Sequence, residues 1–153
     1  MANLEINGLY VDRYELAMAQ AYWQVGRAGE SAAFDYFFRK CPFGGGYTVF
    51  AGLETLLDAL GSFHFREDHL EFLANDGFDR NFLNWLGSFS FKGRIDAPPE
   101  GELVFPLEPV VRVEGGLLET QIVETLILNI LNFQSLVATK ASRCRKSAGS
   151  RGL

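Results

Sequence analysis

Three observations predict an α+β fold for this chain. An aromatic strand-like run over residues 33–38 sits among segments of helical periodicity, and a Pro- and Gly-punctuated β-rich stretch fills residues 89–114. A long apolar helical stripe follows Gly115-Gly116. With 153 residues, 48% hydrophobic and 22% charged, the chain can bury a core of ordinary domain size and belongs to the globular class.

The first helix is expected over residues 12–24. Asp12 suits an N-cap, and Glu15 three positions later can answer it in a capping box. Tyr14, Met18, Ala21, Tyr22 and Val25 then share one face, and Gly26 ends the helix. On spacing alone Asp12 reads as a cap and Tyr14 as a core aromatic. The strand over 33–38 sets Phe34, Tyr36 and Phe38 against Ala33, Asp35 and Phe37. It runs into Arg39-Lys40-Cys41-Pro42-Phe43-Gly44-Gly45-Gly46, which joins two cations, a proline that denies a ladder hydrogen bond, and three glycines free to take positive φ. Such a turn can meet an anion with charge and free amides. A solvated turn with two surface cations is the simpler local reading.

A helix is expected over 48–60 with Val49, Leu53, Leu56, Leu57 and Leu60 as its stripe and Gly61 as its stop. Shorter helices over 67–73 and 79–86 follow, the second stopped by Gly87. His64 and His69 fall here with no cysteine or further histidine at ligand spacing, so both are expected to be structural or surface residues. Between 89 and 114, Phe89-Ser90-Phe91, Leu103-Val104-Phe105 and Val110-Val111-Arg112-Val113 predict a small antiparallel sheet of short strands. The helix beyond carries Leu118, Ile122, Leu126, Ile130, Phe133 and Val137, widened by Val123, Ile127 and Leu131. A stripe that wide predicts burial on two sides. The polar residues 146–153 offer no covering layer, so the sequence is expected to be cut short relative to a longer protein.

Charge and cysteine usage narrow the partners. Net charge is −5, yet residues 125–153 hold five bases and no acid. Lys140, Arg143, Arg145 and Lys146 lie towards the C-terminal end of the long helix, where cations suit the terminal carbonyls, so no nucleic-acid role is expected. Cys41 and Cys144 form no metal or redox pattern, and the first residues lack a basic start and an apolar core. A cytoplasmic location is expected. Polar residues interrupt the apolar stretch 117–137, so no membrane span is expected. No phosphate loop, dinucleotide fingerprint, zinc-protease motif or nucleophile elbow occurs.

Four ordered segments say more: YVDRYELAMAQAYW, FDYFFRKCPFGGGYTVFAGLE, PEGELVFPLEPVVRVEG and LLETQIVETLILNILNFQSLVATKASR. Together they resemble nicotinate phosphoribosyltransferase across about residues 9–149, more closely than the nicotinamide branch of that superfamily, which has a lysine where Glu15 stands. The resemblance implies an enzyme that joins nicotinate to phosphoribosyl pyrophosphate, giving nicotinate mononucleotide for NAD synthesis, with Mg²⁺ and ATP hydrolysis coupled. It implies an α/β-hammerhead-like N-terminal domain over 1–115, the start of an α/β barrel domain over 116–153, and a dimer with sites at its interface. It places Tyr14 on the pyridine ring in the neighbouring subunit's site with Asp12 nearby, Arg39 and Lys40 towards phosphate groups, and Thr139 with Lys140 approaching the site. Arg13 departs from the usual apolar residue of the family. The catalytic histidine and barrel phosphate loops are expected to lie beyond this chain, and neither His64 nor His69 matches that histidine. The alternative is a non-catalytic remnant that binds a full-length homologue through its apolar helix.

Overall fold

The computed structural model describes residues 6–151; the first five residues, which carry the expectation of no leader, lie outside them. In chain order the elements are α1 (Arg13–Gln24), β1 (Ser31–Tyr36), a 3-10 turn (Pro42–Gly44), β2 (Thr48–Val49) and α2 (Leu53–Ser62). Then come α3 (Glu67–Asn75), α4 (Arg80–Leu86), β3 (Arg94–Asp96), β4 (Leu103–Val104), β5 (Val111–Gly116), α5 (Leu117–Ile122) and α6 (Glu124–Ala148). The fold is α+β with small antiparallel sheets, as expected.

The sheet is not confined to residues 89–114. β5 is the central strand of the order β1-β5-β3, with Phe34 opposite Val113, Tyr36 opposite Val111 and Ile95 opposite Val113. A separate two-stranded sheet pairs Thr48 with Val104 and Val49 with Leu103. Phe89-Ser90-Phe91 is no strand. Phe89 is buried, edge-on to Phe63 and Phe65 at 5.8 Å, so its alternation with Phe91 reflects ring burial rather than strand pairing.

One helix begins later than its stripe suggests, and the long stripe is broken in two. Residues 48–49 join a sheet, and α2 starts at Leu53 because Gly52 turns the chain at φ +105°. A Cβ at Gly52 would sit 3.2 Å from the Gln134 Cβ and 3.3 Å from Ile130, so glycine there permits both the turn and the close approach of α6. The long apolar stripe is likewise two helices, since Val123 closes α5 before α6 starts. Its inner side is covered: Leu118, Ile122, Val123, Leu126 and Leu131 are at most 2% exposed. The two-sided burial expected of it holds only for this first part. Phe133, Leu136 and Val137, further along, are exposed.

The first helix turns the other way from its expected face. Leu16 and Ala19 enter the core; of the expected face only Tyr22 packs against it, whereas Tyr14, Met18 and Val25 are exposed. The face is chosen by Glu15, whose carboxylate is pinned inside the fold and carries Leu16 and Ala19 inward with it. His69 is structural, as expected: it is buried in α3, where its Nδ1 accepts from the Arg66 amide at 3.2 Å. His64 is exposed, its Nδ1 2.7 Å from the Ser62 carbonyl.

Candidate functional site

The residues singled out by sequence fall at two places along α6. At its first turn lies the start of α1. The Asp12 amide donates to Glu15 Oε2 at 3.3 Å, the return half of the expected capping box, while the Asp12 side chain is exposed. Glu15 is fully buried, and its Oε1 accepts from both the amide and the hydroxyl of Thr125 at 2.7 Å. Burial pushes the Glu15 carboxyl up to about 7, the nearby Glu124 carboxylate adds to this, and the Thr125 hydrogen bonds oppose it.

Tyr14, next to this buried carboxyl, projects outward with 47% of its surface exposed. Its phenol lies beside Glu124 and is held well above the usual tyrosine range, first by partial burial and then by that carboxylate. Glu124 also accepts from Gln121 Nε2 at 3.1 Å. The corner therefore presents a half-exposed aromatic ring whose hydroxyl end is restrained by a carboxylate. A flat heteroaromatic can stack on such a ring, with about 0.5–1.5 kcal/mol beyond area burial.

The second place is the turn after β1. Arg39 and Lys40 are exposed and, among the described residues, form no ion pair. Lys40 lines a cavity of about 780 Å³ with Phe38, Phe43, Thr48, Asn132 and Leu136. Asn132 Oδ1 accepts from the Tyr36 hydroxyl at 2.9 Å, and Thr48 Oγ1 is buried without a partner among the described residues. Of the three glycines, Gly44 takes positive φ (+61°), as does Phe43 (+59°). Lys140 and Arg143 of α6 clamp that turn, with Lys140 Nζ 5.0 Å and the Arg143 guanidinium 5.7 Å from the Phe43 ring centre. Arg143 Nη1 also donates to the Phe43 carbonyl at 3.1 Å. A cleft with Lys40 on its wall and polar edges can meet an oxyanion, though Arg39 does not line it.

Thr139 is 1% exposed, and its hydroxyl accepts from the Val49 amide at 2.9 Å and donates to the Ser135 carbonyl at 2.6 Å. Its hydroxyl holds β2 against α6 rather than opening onto the cleft. Sequence reasoning missed Glu124, Asn132 and Thr48. A glutamate interrupting an apolar helical stripe was a usable signal for Glu124; nothing local marks the other two.

Within one chain the two places do not meet. Glu124 and Leu136 are twelve residues apart on one helix, about 18 Å at the α-helical rise, and Lys140 lies a further turn away.

The family model described as the nicotinate phosphoribosyltransferase (NAPRTase) N-terminal domain matches residues 9–132. This chain belongs to that family. The nicotinate phosphoribosyltransferase of Bacillus subtilis is 44% identical over 142 residues, covering 92% of this chain and 29% of that protein. A Mycobacterium tuberculosis nicotinate phosphoribosyltransferase is 42% identical over 147 residues, covering 95% of this chain and 32% of its own length. The crystal structure of human nicotinic acid phosphoribosyltransferase superposes with a TM-score of 0.85 at 39% identity, over 92% of this chain and 29% of that one. This nicotinate phosphoribosyltransferase N-terminal domain thus spans about a third of the length of the relatives it matches. A Pyrococcus furiosus nicotinate-nucleotide pyrophosphorylase shares the fold at 23% identity and a TM-score of 0.67.

Proposed function

We propose that this chain is the ring- and phosphate-presenting N-terminal part of an enzyme that joins nicotinate to phosphoribosyl pyrophosphate to form nicotinate mononucleotide, in NAD synthesis. The observation that carries this reading is the exposed Tyr14 ring at one end of α6 with the unpaired Arg39 and Lys40 near its middle, within a family named for the reaction. Within one chain the Tyr14 corner and the Arg39–Lys40 turn stand at different places along α6. In a symmetric dimer each chain can lend its Tyr14 to a site completed by the other.

In this reading Tyr14 stacks on the pyridine ring, with Asp12 beside it. Arg39 and Lys40 bind phosphate oxygens, and the Lys140–Arg143 clamp on Phe43 holds the turn that carries them. Thr139 acts indirectly by fixing β2. Fixed cations around a departing pyrophosphate stabilise the charge that develops on it. The hammerhead-like description, the division into 1–115 and 116–153 and a cytoplasmic site of action belong to the same proposal. So do the Mg²⁺ and ATP requirements of the complete reaction. Among the described residues no group of three or more His, Cys, Asp or Glu side chains comes together to hold a metal ion. Mg²⁺ held by one or two carboxylates and substrate phosphates needs no such group, and no step here passes through the metal. Among the described residues no helix is long and apolar enough to cross a membrane.

A mixing experiment tests the shared site. The chain is joined to the remainder of the Bacillus subtilis relative, and two defective versions of this chimera are co-expressed. One carries Tyr14→Ala; the other keeps Tyr14 and has an inactivated catalytic histidine in the added part. At nicotinate concentrations well below KM each alone is expected to be strongly impaired. The mixture recovers nicotinate mononucleotide formation if Tyr14 acts across the interface, because one site then has both intact parts. Absence of recovery in a proven mixed dimer refutes the shared site.

A further inference from the structure

The side chain that fixes where Tyr14 stands is its neighbour in sequence. Glu15 is buried to 0% exposure at the first turn of α1 and, among the described residues, forms no ion pair. A carboxyl in such a place is costly unless its oxygens are met by donors. Here Oε1 takes two short bonds from Thr125, amide and hydroxyl, and Oε2 takes the Asp12 amide. One side chain thereby joins the N-terminus of α1 to the first turn of α6, across 110 residues of chain. Thr125 follows Glu124, the carboxylate beside the Tyr14 phenol. Glu15 and Tyr14 are adjacent on α1, and Thr125 and Glu124 are adjacent on α6. Two neighbouring cross-helix contacts therefore set one helix against the other, one buried and one at the surface.

We propose that Glu15 is the positioning residue for Tyr14: by bonding Thr125 it fixes the height and tilt of the exposed ring above Glu124, without itself reaching a ligand. This rests on the reading of Tyr14 as a ring-stacking residue only for its consequence in catalysis; the positioning itself is a property of this chain. An ordinary core residue at this point would stabilise the fold yet leave the exposed ring free to swing. The charged and polar groups facing Glu15 are Asp12 and Tyr14 on its own element and Glu124 and Thr125 on α6.

The test reads the phenol directly. 3-Fluorotyrosine is placed at position 14 of the full 153-residue chain, in a Phe133→Ser background that limits self-association, and its ionisation followed by fluorine NMR, relative to the same chain unfolded in urea. In the parent chain the phenol titrates well above the unfolded reference. Glu15→Gln removes the charge but keeps a carbonyl oxygen for Thr125, so it controls for the electrostatic effect of Glu15 and is expected to retain most of the displacement. Glu15→Ala is expected to lose at least half of what Glu15→Gln retains, with a broadened resonance from a mobile ring. Should Glu15→Ala not fold, Thr125→Val takes its place. It leaves both carboxylates present, so any fall in the displacement is positional, and a fall is expected. Equal titration in folded Glu15→Ala and Glu15→Gln overturns the inference, as does an unaltered one in Thr125→Val if that variant is used.

A second arm in the active chimera separates this from the functional reading. Glu15→Ala is expected to raise KM for nicotinate about tenfold with kcat little changed, rescued by Glu15→Gln. A raised KM in Tyr14→Ala without one in Glu15→Ala overturns the positioning role. KM unmoved by either substitution removes the stacking reading, and the fluorine measurement then decides the positioning alone.

Discussion

Replacing Glu15 by glutamine should change how stability responds to pH, in a direction the structure dictates. The buried carboxyl titrates near 7 instead of its ordinary 4.5. Between those values the folded protein binds more protons than the unfolded chain, so stability falls as pH rises through that window. Stability associated with the protonated carboxyl is fully present below about 4.5 and is lost once pH passes about 7. The displacement corresponds to about 3 kcal/mol at roughly 1.4 kcal/mol per pH unit. Glutamine keeps the shape and the acceptor for Thr125 but cannot ionise. Urea unfolding of both proteins at intervals from pH 4 to 9 isolates the effect, because every other titrating group is common to the pair. The glutamine variant should gain on the parent by about 3 kcal/mol between pH 4 and 8. That is a relative midpoint shift of about 1–3 M urea for slopes typical of small domains. A difference between the two proteins that stays flat across that range would refute the argument, and the Thr125 hydrogen bonds would then have fully offset burial.

Tyr14→Ala should lower unfolding stability by less than about 1 kcal/mol because the ring is half exposed, whereas Phe82→Ala, with a fully buried ring, should cost about 3–5 kcal/mol. Equal losses in urea titrations would return Tyr14 to the core. Gly52→Ala should destabilise by about 1–3 kcal/mol in thermal unfolding, since φ is +105° and the new Cβ meets Gln134 and Ile130; an unchanged midpoint would mean α6 can move aside. The exposed Phe133, Leu136 and Val137 on α6 should make the isolated chain self-associate at micromolar concentration, and Phe133→Ser should reduce that in sedimentation; a compact monomer would refute it. Purified alone, the chain should form no nicotinate mononucleotide from nicotinate, phosphoribosyl pyrophosphate, Mg²⁺ and ATP, because neither of its histidines, His64 and His69, matches the catalytic histidine that the resemblance implies; product that tracks the protein would overturn this.

Local chemistry alone decided the parts of this protein that depend on near neighbours. Gly26 and Gly87 stop α1 and α4, Asp79 caps α4 through the Asn81 and Phe82 amides, and the 33–38 run contains β1, because turns and caps are satisfied within a few residues. The four ordered segments likewise carried the family. Tertiary structure decided which face of each element is inside. Spacing showed that α1 has an apolar stripe, yet a buried Glu15 bonded to Thr125 turned that stripe outward, and nothing within a helical turn of Glu15 announces a partner 110 residues away. The same holds for β1 pairing with β5, where Ser31 meets Gly116, and for Thr139, whose hydroxyl is taken up by Val49. Periodicity reports a preference for burial but not what will do the burying. That depends on contacts between segments distant in sequence, which here were decided by a buried carboxyl and two glycine-permitted approaches, Gly52 beneath α6 and Gly115 beside Gly93, whose Cα a Cβ at Gly115 would meet at 3.1 Å.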